Sequence, residues 1–285
     1  MPVAGEIAPL SVAEFRGFRD LILDEAGIYL KDSKRSLVES RLGRRLRSLG
    51  IESYGEYFQY VTRQPAASAE RREMINCITT NKTDFFRENH HFEFVRDRLI
   101  PQARARAAAG ESRKLRIWSA GCSTGEEPYS IAMTICEALG TDRSWDVRIL
   151  ASDVDTEVLA AAEQGIYDGE RLERVPETVV RRHFLRNLDR SAFQVKEDLK
   201  SMIRFRRINL VEPAWPIRAS FDAIFCRNVI IYFNQATQQR LFERLTGYLK
   251  PSGYLMVGHS ENLQWLNAML ELVQSTIYRL RDGAR

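Results

Sequence analysis

The chain has 285 residues, 42 basic against 38 acidic for a formal net charge of +4, with 44% apolar and 28% charged side chains. That length allows about two domains with proper cores, and the composition is that of an ordinary globular protein. No apolar run approaches the ~18 residues of a membrane helix, and +4 is too small a surplus to signal a nucleic-acid-binding domain.

Cys77, Cys122, Cys136 and Cys226 are scattered without a C-x-x-C pair, which argues against a disulfide framework or zinc finger and fits a reducing compartment. The start, MPVAGEIAPLS, lacks the basic and apolar stretches of a signal peptide. The expectation is a cytoplasmic protein without membrane insertion.

Residues 10 to about 100 read as successive helices. Phe15, Phe18, Leu21, Ile22 and Leu23 recur at helical spacing ahead of a stop at Gly27. Leu37, Val38, Leu42, Leu46 and Leu49 share a face that ends at Gly50. SYGEYFQYVTR and AERREMINCIT supply a third and a fourth helix. ARARAAAGESRK reads as a linker.

From Leu115 the pattern alternates: strand KLRIWSAG, turn CSTG, helix EEPYSIAMTICEALG, strand VRILASDVD, helix TEVLAAAEQG, strands IRFRRINL and FDAIFCRN, helix QATQQRLFERLTGYLK, strand GYLMVGHS, and a closing hairpin in MLELVQSTIYRL. Such alternation predicts a mostly parallel, doubly wound sheet. Between Gly165 and Ser201 it breaks; a short helix after Pro176 and short strands near Asn187–Arg190 read as an inserted β-subdomain with a turn at NLDRS. The division is a helical domain over 1–95, a linker over 96–114, and a Rossmann-like domain over 115–285 with its insertion at about 166–202.

Ligands of such sheets sit beyond the C-terminal strand ends. There, AGCSTGEEP lets a ligand approach a helix N-terminus, and the second strand ends in SDVD, where a carboxylate suits ribose hydroxyls. Asp153 and Asp155 both qualify, and one of them could instead cap the next helix. Glu126 and Glu127 would repel a pyrophosphate, which disfavours a nicotinamide dinucleotide and favours a cationic nucleoside such as S-adenosylmethionine (AdoMet). Gly121-Cys-Ser-Thr-Gly125 also spells G-x-S-x-G, with His259 as a conceivable base; the helical chain upstream does not fit a hydrolase sheet. Adjacent His90 and His91 make a poor metal pair, and with His183 and His259 are read as structural.

ITTNKTDFFRENHHF, WSAGCSTGEEPYSIAM, ASDVDTEVLAAAEQGIY, FDAIFCRNVIIYF and LKPSGYLMVGHSENL, in this order, resemble the CheR-type chemotaxis receptor glutamate O-methyltransferases. The resemblance implies an α/β AdoMet-dependent methyltransferase domain behind a small helical domain. It implies an enzyme that esterifies glutamates on the cytoplasmic helices of chemoreceptors, with S-adenosylhomocysteine (AdoHcy) as product and no metal. It places Asn81, Thr83, Arg87, Glu127, Asp153, Asn209, Leu210, Arg227 and Asn228 around the cofactor, and Arg87 and Tyr232 beside the transferred methyl group. An idle AdoMet-binding adaptor of the same fold is the alternative.

Only seven of the 42 basic residues are lysine, and the arginines gather. Lys34, Arg35, Arg41, Arg44, Arg45 and Arg47 face a single acid, Glu39, within one helix. Beside a cleft for glutamate-rich helices this suggests substrate docking through Arg41, Arg44, Arg45 and Arg47; no strand carries the aromatic pattern of nucleic-acid recognition. Some family members have a glycine-rich loop in the insertion that docks a receptor's C-terminal pentapeptide. This chain has no glycine between Gly169 and Gly247, so that tether is not expected. The protein is expected to be a monomer.

Overall fold

The computed structural model describes residues 7–65, 68–187 and 191–281. Four helices come first: α1 (Val12–Ala26), α2 (Arg35–Leu49), α3 (Tyr54–Arg63) and α4 (Ala69–Ile78). Ser11 opens α1 with a capping box, its hydroxyl accepting from Glu14 N while its own N–H donates to Glu14 Oε2. Ser53 and Ser68 cap α3 and α4. Phe18, Ile22, Val38, Leu42, Leu46, Tyr57 and Val61 close into a core separate from that of the sheet. Leu49, expected on the buried face of α2, is exposed at the helix end.

The segment read as a linker over 96–114 is instead helical as far as Ala108. Helix α5 (His90–Phe94) runs through a π turn (Val95–Leu99) into α6 (Ile100–Ala108). Alanine and arginine favour helix, and Val95, Leu99, Ile100 and Ala103 bury into the sheet's core. Arg106 fastens the end of α6 to buried Asp222 at 2.7 Å. Residues 79–89, between α4 and α5, make the crossing between the helical part and the sheet.

The rest comprises β1 (Lys114–Ala120), α7 (Glu126–Leu139), β2 (Asp146–Asp153), α8 (Thr156–Gln164), β3 (Ile166–Asp168), α9 (Glu177–His183), β4 (Phe184–Asn187), β5 (Ala192–Val195), α10 (Glu197–Lys200), β6 (Ile203–Arg207), β7 (Phe221–Phe225), α11 (Gln235–Gly247), β8 (Leu249–Met256), β9 (Leu270–Gln274) and β10 (Ile277–Leu280). Seven strands form one sheet in the order β6-β2-β1-β7-β8-β10-β9. The first five are parallel, and β10 runs antiparallel to β8 and β9. The chain winds from β1 outward to β2 and β6, then returns to β7 on the other side, so the switch point lies between β1 and β7. The insertion is a separate antiparallel sheet, β3-β5-β4. Its strands β4 and β5 fall around the expected stretch, β4 ending at Asn187 and β5 starting at Ala192, and positions 188–190 of the expected NLDRS turn fall outside the described residues.

Candidate active site

A cleft of about 410 Å³ opens at the switch point, lined by the C-terminal ends of β1, β2, β6 and β7, the 78–84 crossing, and the chain between α1 and α2. Such a volume suits a small-molecule ligand. Asn81, Thr83, Arg87, Glu127, Asp153, Asn209, Leu210, Arg227, Asn228 and Tyr232 all line it. Arg41, Arg44, Arg45 and Arg47 lie outside its wall.

The turn after β1 brings the backbone close. Gly121 has φ +86°, and a Cβ there would lie 2.3 Å from Val229 Cγ2, so only glycine lets the β1 and β7 ends meet. Ser123 N donates to Asp153 Oδ2 at 2.9 Å and Asp155 N to Asp153 Oδ1 at 3.0 Å, which holds the Asp153 carboxylate at the cleft edge. Burial raises its carboxyl above the usual range. Asp155 takes the capping role: its Oδ1 accepts from Glu157 N and Val158 N, while Oδ2 accepts from Thr79 Oγ1 at 2.6 Å and Asn81 Nδ2 at 2.7 Å. Of the two aspartates, Asp155 caps α8 and only Asp153 lines the cleft. Ser123 Oγ donates to the Asn81 carbonyl and not to a histidine, so the G-x-S-x-G turn is built as a wall.

The paired glutamates part company. Glu126 turns away, accepting from Thr124 Oγ1 and Arg171. Glu127 faces the cleft, accepts from Ser119 Oγ at 2.7 Å and pairs with Arg227 Nη1 at 3.1 Å. Burial raises its carboxyl, and Arg227 and Ser119 oppose the rise. Arg227 is buried; it also donates to the Arg87 carbonyl and lies 3.3 Å from Glu88 Oε2. Arg87 gives Nη1 to the Lys82 carbonyl at 2.9 Å, and no other donor of its guanidinium is committed among the described contacts. Tyr232 follows β7 on a short 3₁₀ turn, with its hydroxyl 3.5 Å from the Thr80 carbonyl.

Asn209 spends its side chain on structure. Nδ2 donates to the Glu25 carbonyl at the end of α1 and Oδ1 accepts from Val211 N, leaving Leu210, Ile208, Val154 and Val229 as the apolar part of the lining. The α1 end is clamped onto the sheet at a second point, where Tyr29 N donates to the Tyr232 carbonyl at 2.7 Å. Gly27 (φ +71°) permits this approach, since a Cβ would sit 2.3 Å from Val211 Cγ1. Ile28, Tyr29, Leu30, Lys31 and Lys34 therefore form one rim of the cleft.

Two of the four arginines expected to dock a substrate are engaged elsewhere. Arg41 donates through Nη1 to the Ile78 and Thr79 carbonyls at 2.6 Å, closing the C-terminus of α4. Arg45 makes a two-pronged pair with buried Glu70, at 3.0 and 2.6 Å. Arg44 and Arg47 are exposed, as are Lys31, Lys34 and Arg35.

Glu261, Glu88 and the 28–31 part of the rim are not singled out by the sequence. Glu261 is buried and accepts from the backbone N–H groups of Gly258, Asn228 and Ile230 at 2.6–3.0 Å, shaping the loop that carries Arg227 and Asn228. An acid within the small, polar HSEN stretch after a strand was the available signal. The histidines pack: His90 lies 4.0 Å from His91 and 4.9 Å from His259 between ring centroids, and both His90 and His91 reach Thr276 Oγ1. Among the described residues no cluster of histidine, cysteine and acidic groups is arranged to hold a metal ion.

The donor set fits AdoMet. The cleft offers two carboxylates, Asp153 and Glu127, of the kind that can accept from ribose hydroxyls or an ammonium, and an apolar patch of a size for a purine. With the doubly wound sheet these features suit an AdoMet-binding domain, and the sequence matches make it a methyltransferase. The family model described as "CheR methyltransferase, SAM binding domain" matches residues 81–279, and "CheR methyltransferase, all-alpha domain" matches residues 13–79. The chain is 46% identical to chemotaxis protein methyltransferase 2 of Pseudomonas aeruginosa over 269 residues, 93% of this chain and 92% of that one. It is 44% identical to the chemotaxis protein methyltransferase of Escherichia coli over 274 residues, 95% and 92% of the two chains. The chain belongs to the CheR methyltransferase family.

Proposed function

We propose that the protein transfers a methyl group from AdoMet to glutamate side-chain carboxylates on acidic cytoplasmic helices of chemoreceptors. One observation carries this reading: an Arg87 guanidinium with uncommitted donors and a Tyr232 hydroxyl share one cleft with Glu127 and Asp153, under a rim bearing Lys31 and Lys34. Its relatives are named chemotaxis protein methyltransferases.

AdoMet, when bound, supplies an electrophilic methyl group on a sulfonium. A glutamate side chain has an ordinary pKa near 4.3 and arrives ionised at pH 7, so no general base is needed. Arg87 and Tyr232 hold one carboxylate oxygen and leave the other free to attack. Positioning carries most of the rate, and the apolar wall of Ile28, Leu30, Ile208, Leu210 and Val229 keeps water from the reacting charges. Asp153 and Glu127 orient the cofactor's ribose and ammonium. Arg44 and Arg47, with Lys31, Lys34 and Arg35, steer acidic helices to the rim. Without a glycine-rich loop in the insertion, docking does not depend on a C-terminal receptor pentapeptide; a tight calorimetric complex with one would refute that.

Incubation with methyl-labelled AdoMet and a receptor cytoplasmic fragment tests the reading. Base-labile label released as methanol identifies a methyl ester, whereas cofactor binding without transfer would favour the adaptor. Arg87→Ala should lose transfer about a hundredfold while AdoHcy binding falls far less; equal losses would remove Arg87 from the substrate role.

A further inference from the structure

Three buried side-chain atoms lack a hydrogen-bond partner among the described residues: Glu88 Oε2, His91 Nδ1 and Arg227 Nε. Arg227, which lines the cleft beside Glu127, joins them: Glu88 Oε2 lies 3.3 Å from Arg227 Nη2 and 3.8 Å from His91 Nδ1. Glu88 is the least expected of them. Its φ is +56°, and Phe86, two residues earlier, is also left-handed at +54°. Non-glycine residues hold such conformations only when their surroundings over-determine them. Here the anchors are visible. Phe86 N donates to Ser130 Oγ at 3.0 Å and its ring packs edge-on against Phe92. The Glu88 side chain is 9% exposed, accepts from His259 N through Oε1 at 3.2 Å and lies 3.3 Å from Arg227 Nη2. Arg87, between the two left-handed residues, is thereby turned into the cleft.

The charge arrangement matters as much as the geometry. Arg227 stands between two carboxylates, Glu127 at 3.1 Å and Glu88 at 3.3 Å. One guanidinium balances only one of the two carboxylates, so with both ionised the group has one negative charge in excess next to the cleft. His91, 3.8 Å from Glu88 Oε2, adds no compensating charge, because burial lowers it to about 2. Burial chiefly raises the Glu127 carboxyl, and the Glu88 charge adds to that rise, so the two acids feel each other across Arg227.

We infer that Glu88 is a positioning residue for the cofactor's amino-acid end: it draws Arg227 away from full neutralisation of Glu127, and so keeps a net negative site for the α-ammonium group. This rests on the AdoMet cleft described above. Removing the Glu88 charge leaves Arg227 and Glu127 as a neutral pair and weakens only those ligands that carry the ammonium.

Calorimetry of Glu88→Gln with two ligands tests this: AdoHcy, which has the amino-acid end, and 5′-methylthioadenosine, which lacks it. AdoHcy should bind about tenfold more weakly than to the wild type, and methylthioadenosine within about twofold of it. Glu88→Asp, which keeps the charge, should hold the ratio of the two affinities near the wild-type value. Parallel loss of both ligands, an unchanged AdoHcy affinity, or a ratio lost equally in Glu88→Asp would each overturn the inference while leaving the cofactor site standing. Failure of the wild-type chain to bind AdoHcy would overturn both.

Discussion

Asp155 couples the helical part of the chain to the cofactor cleft, and the cost of removing it can be worked from its contacts. Its carboxylate is 1% exposed and accepts four hydrogen bonds, two from the first turn of α8 and two from the crossing segment, through Thr79 Oγ1 and Asn81 Nδ2. Asp155→Ala forfeits the cap, about 1 kcal/mol, and two charge-assisted bonds at about 1.5 kcal/mol each, for a loss of about 4 kcal/mol. Asp155→Asn keeps one oxygen for the cap but turns an amide N–H₂ toward two donors. The Thr79 hydroxyl can rotate to accept, whereas Asn81 must turn its amide over; the expected loss is about 2 kcal/mol. Urea unfolding followed by circular dichroism reads the two values. Limited proteolysis at residues 79–89 should be faster in the same order, since Asp155 ties the side chains of Thr79 and Asn81 to the sheet, leaving the Ser123 bond to the Asn81 carbonyl when it is removed. AdoHcy affinity should drop in both variants because Asn81 is cleft wall. An Asn variant within about 0.5 kcal/mol of wild type, or an Ala variant no worse than Asn, would refute the staple.

Other residues give sharper signs. Burial lowers His91 from 6.5 to about 2, so the folded state excludes a proton that the unfolded chain takes up below about pH 6.5. The stability it contributes is present above that pH and is lost as the pH falls from 6.5 toward 2; His91→Gln should reduce the pH slope of the urea-derived free energy between pH 6 and 4 by about one proton, or about 1.4 kcal/mol per pH unit, and parallel slopes would contradict it. Reversing Arg44 and Arg47 to glutamate should leave the thermal midpoint unchanged, lower kcat/KM for receptor fragments by about tenfold, and flatten its salt dependence. Arg41→Ala should behave oppositely, losing about 2 kcal/mol by uncapping α4 without changing the salt dependence, as thermal melts and initial rates would show.

What was legible in the chain followed from short-range physics. Phe15, Phe18 and Ile22 recur at helical spacing because one face of α1 must be buried, and Val38, Leu42 and Leu46 do the same on α2. The parallel sheet announced itself through apolar runs alternating with amphipathic helices. Strand ends and helix starts, where ligands meet backbone, narrowed the acids to Asp153 or Asp155 and Glu126 or Glu127; the family resemblance, not spacing, singled out Asp153 and Glu127. Arg41 and Arg45 could not be separated from Arg44 and Arg47 in the same way: their partners, the carbonyls ending α4 and the buried Glu70, belong to a helix whose packing no local pattern specifies. The linker reading failed for a related reason. Alanine and arginine look polar and small in a list, yet Val95, Leu99, Ile100 and Ala103 recur at spacings that bury one stripe against the sheet.

Glu88 shows where such reading must stop, because its role depends on a backbone conformation disfavoured for its residue type and on Arg227, far along the chain. The charge of the molecule illustrates the same division. A surplus of +4 describes no surface, since Arg41, Arg45, Arg106 and Arg227 are consumed inside the fold by carbonyls and carboxylates. Near the cleft mouth Lys31, Lys34, Arg35, Arg44 and Arg47 stay exposed, on the rim and on α2, while the cleft beneath carries Glu127 and Asp153 together with Arg87 and Arg227. Both signs therefore meet in one cleft, Glu127 and Asp153 beside Arg87 and Arg227, and under the proposed function the carboxylates face the cationic cofactor while Arg87 is left to meet an anionic side chain.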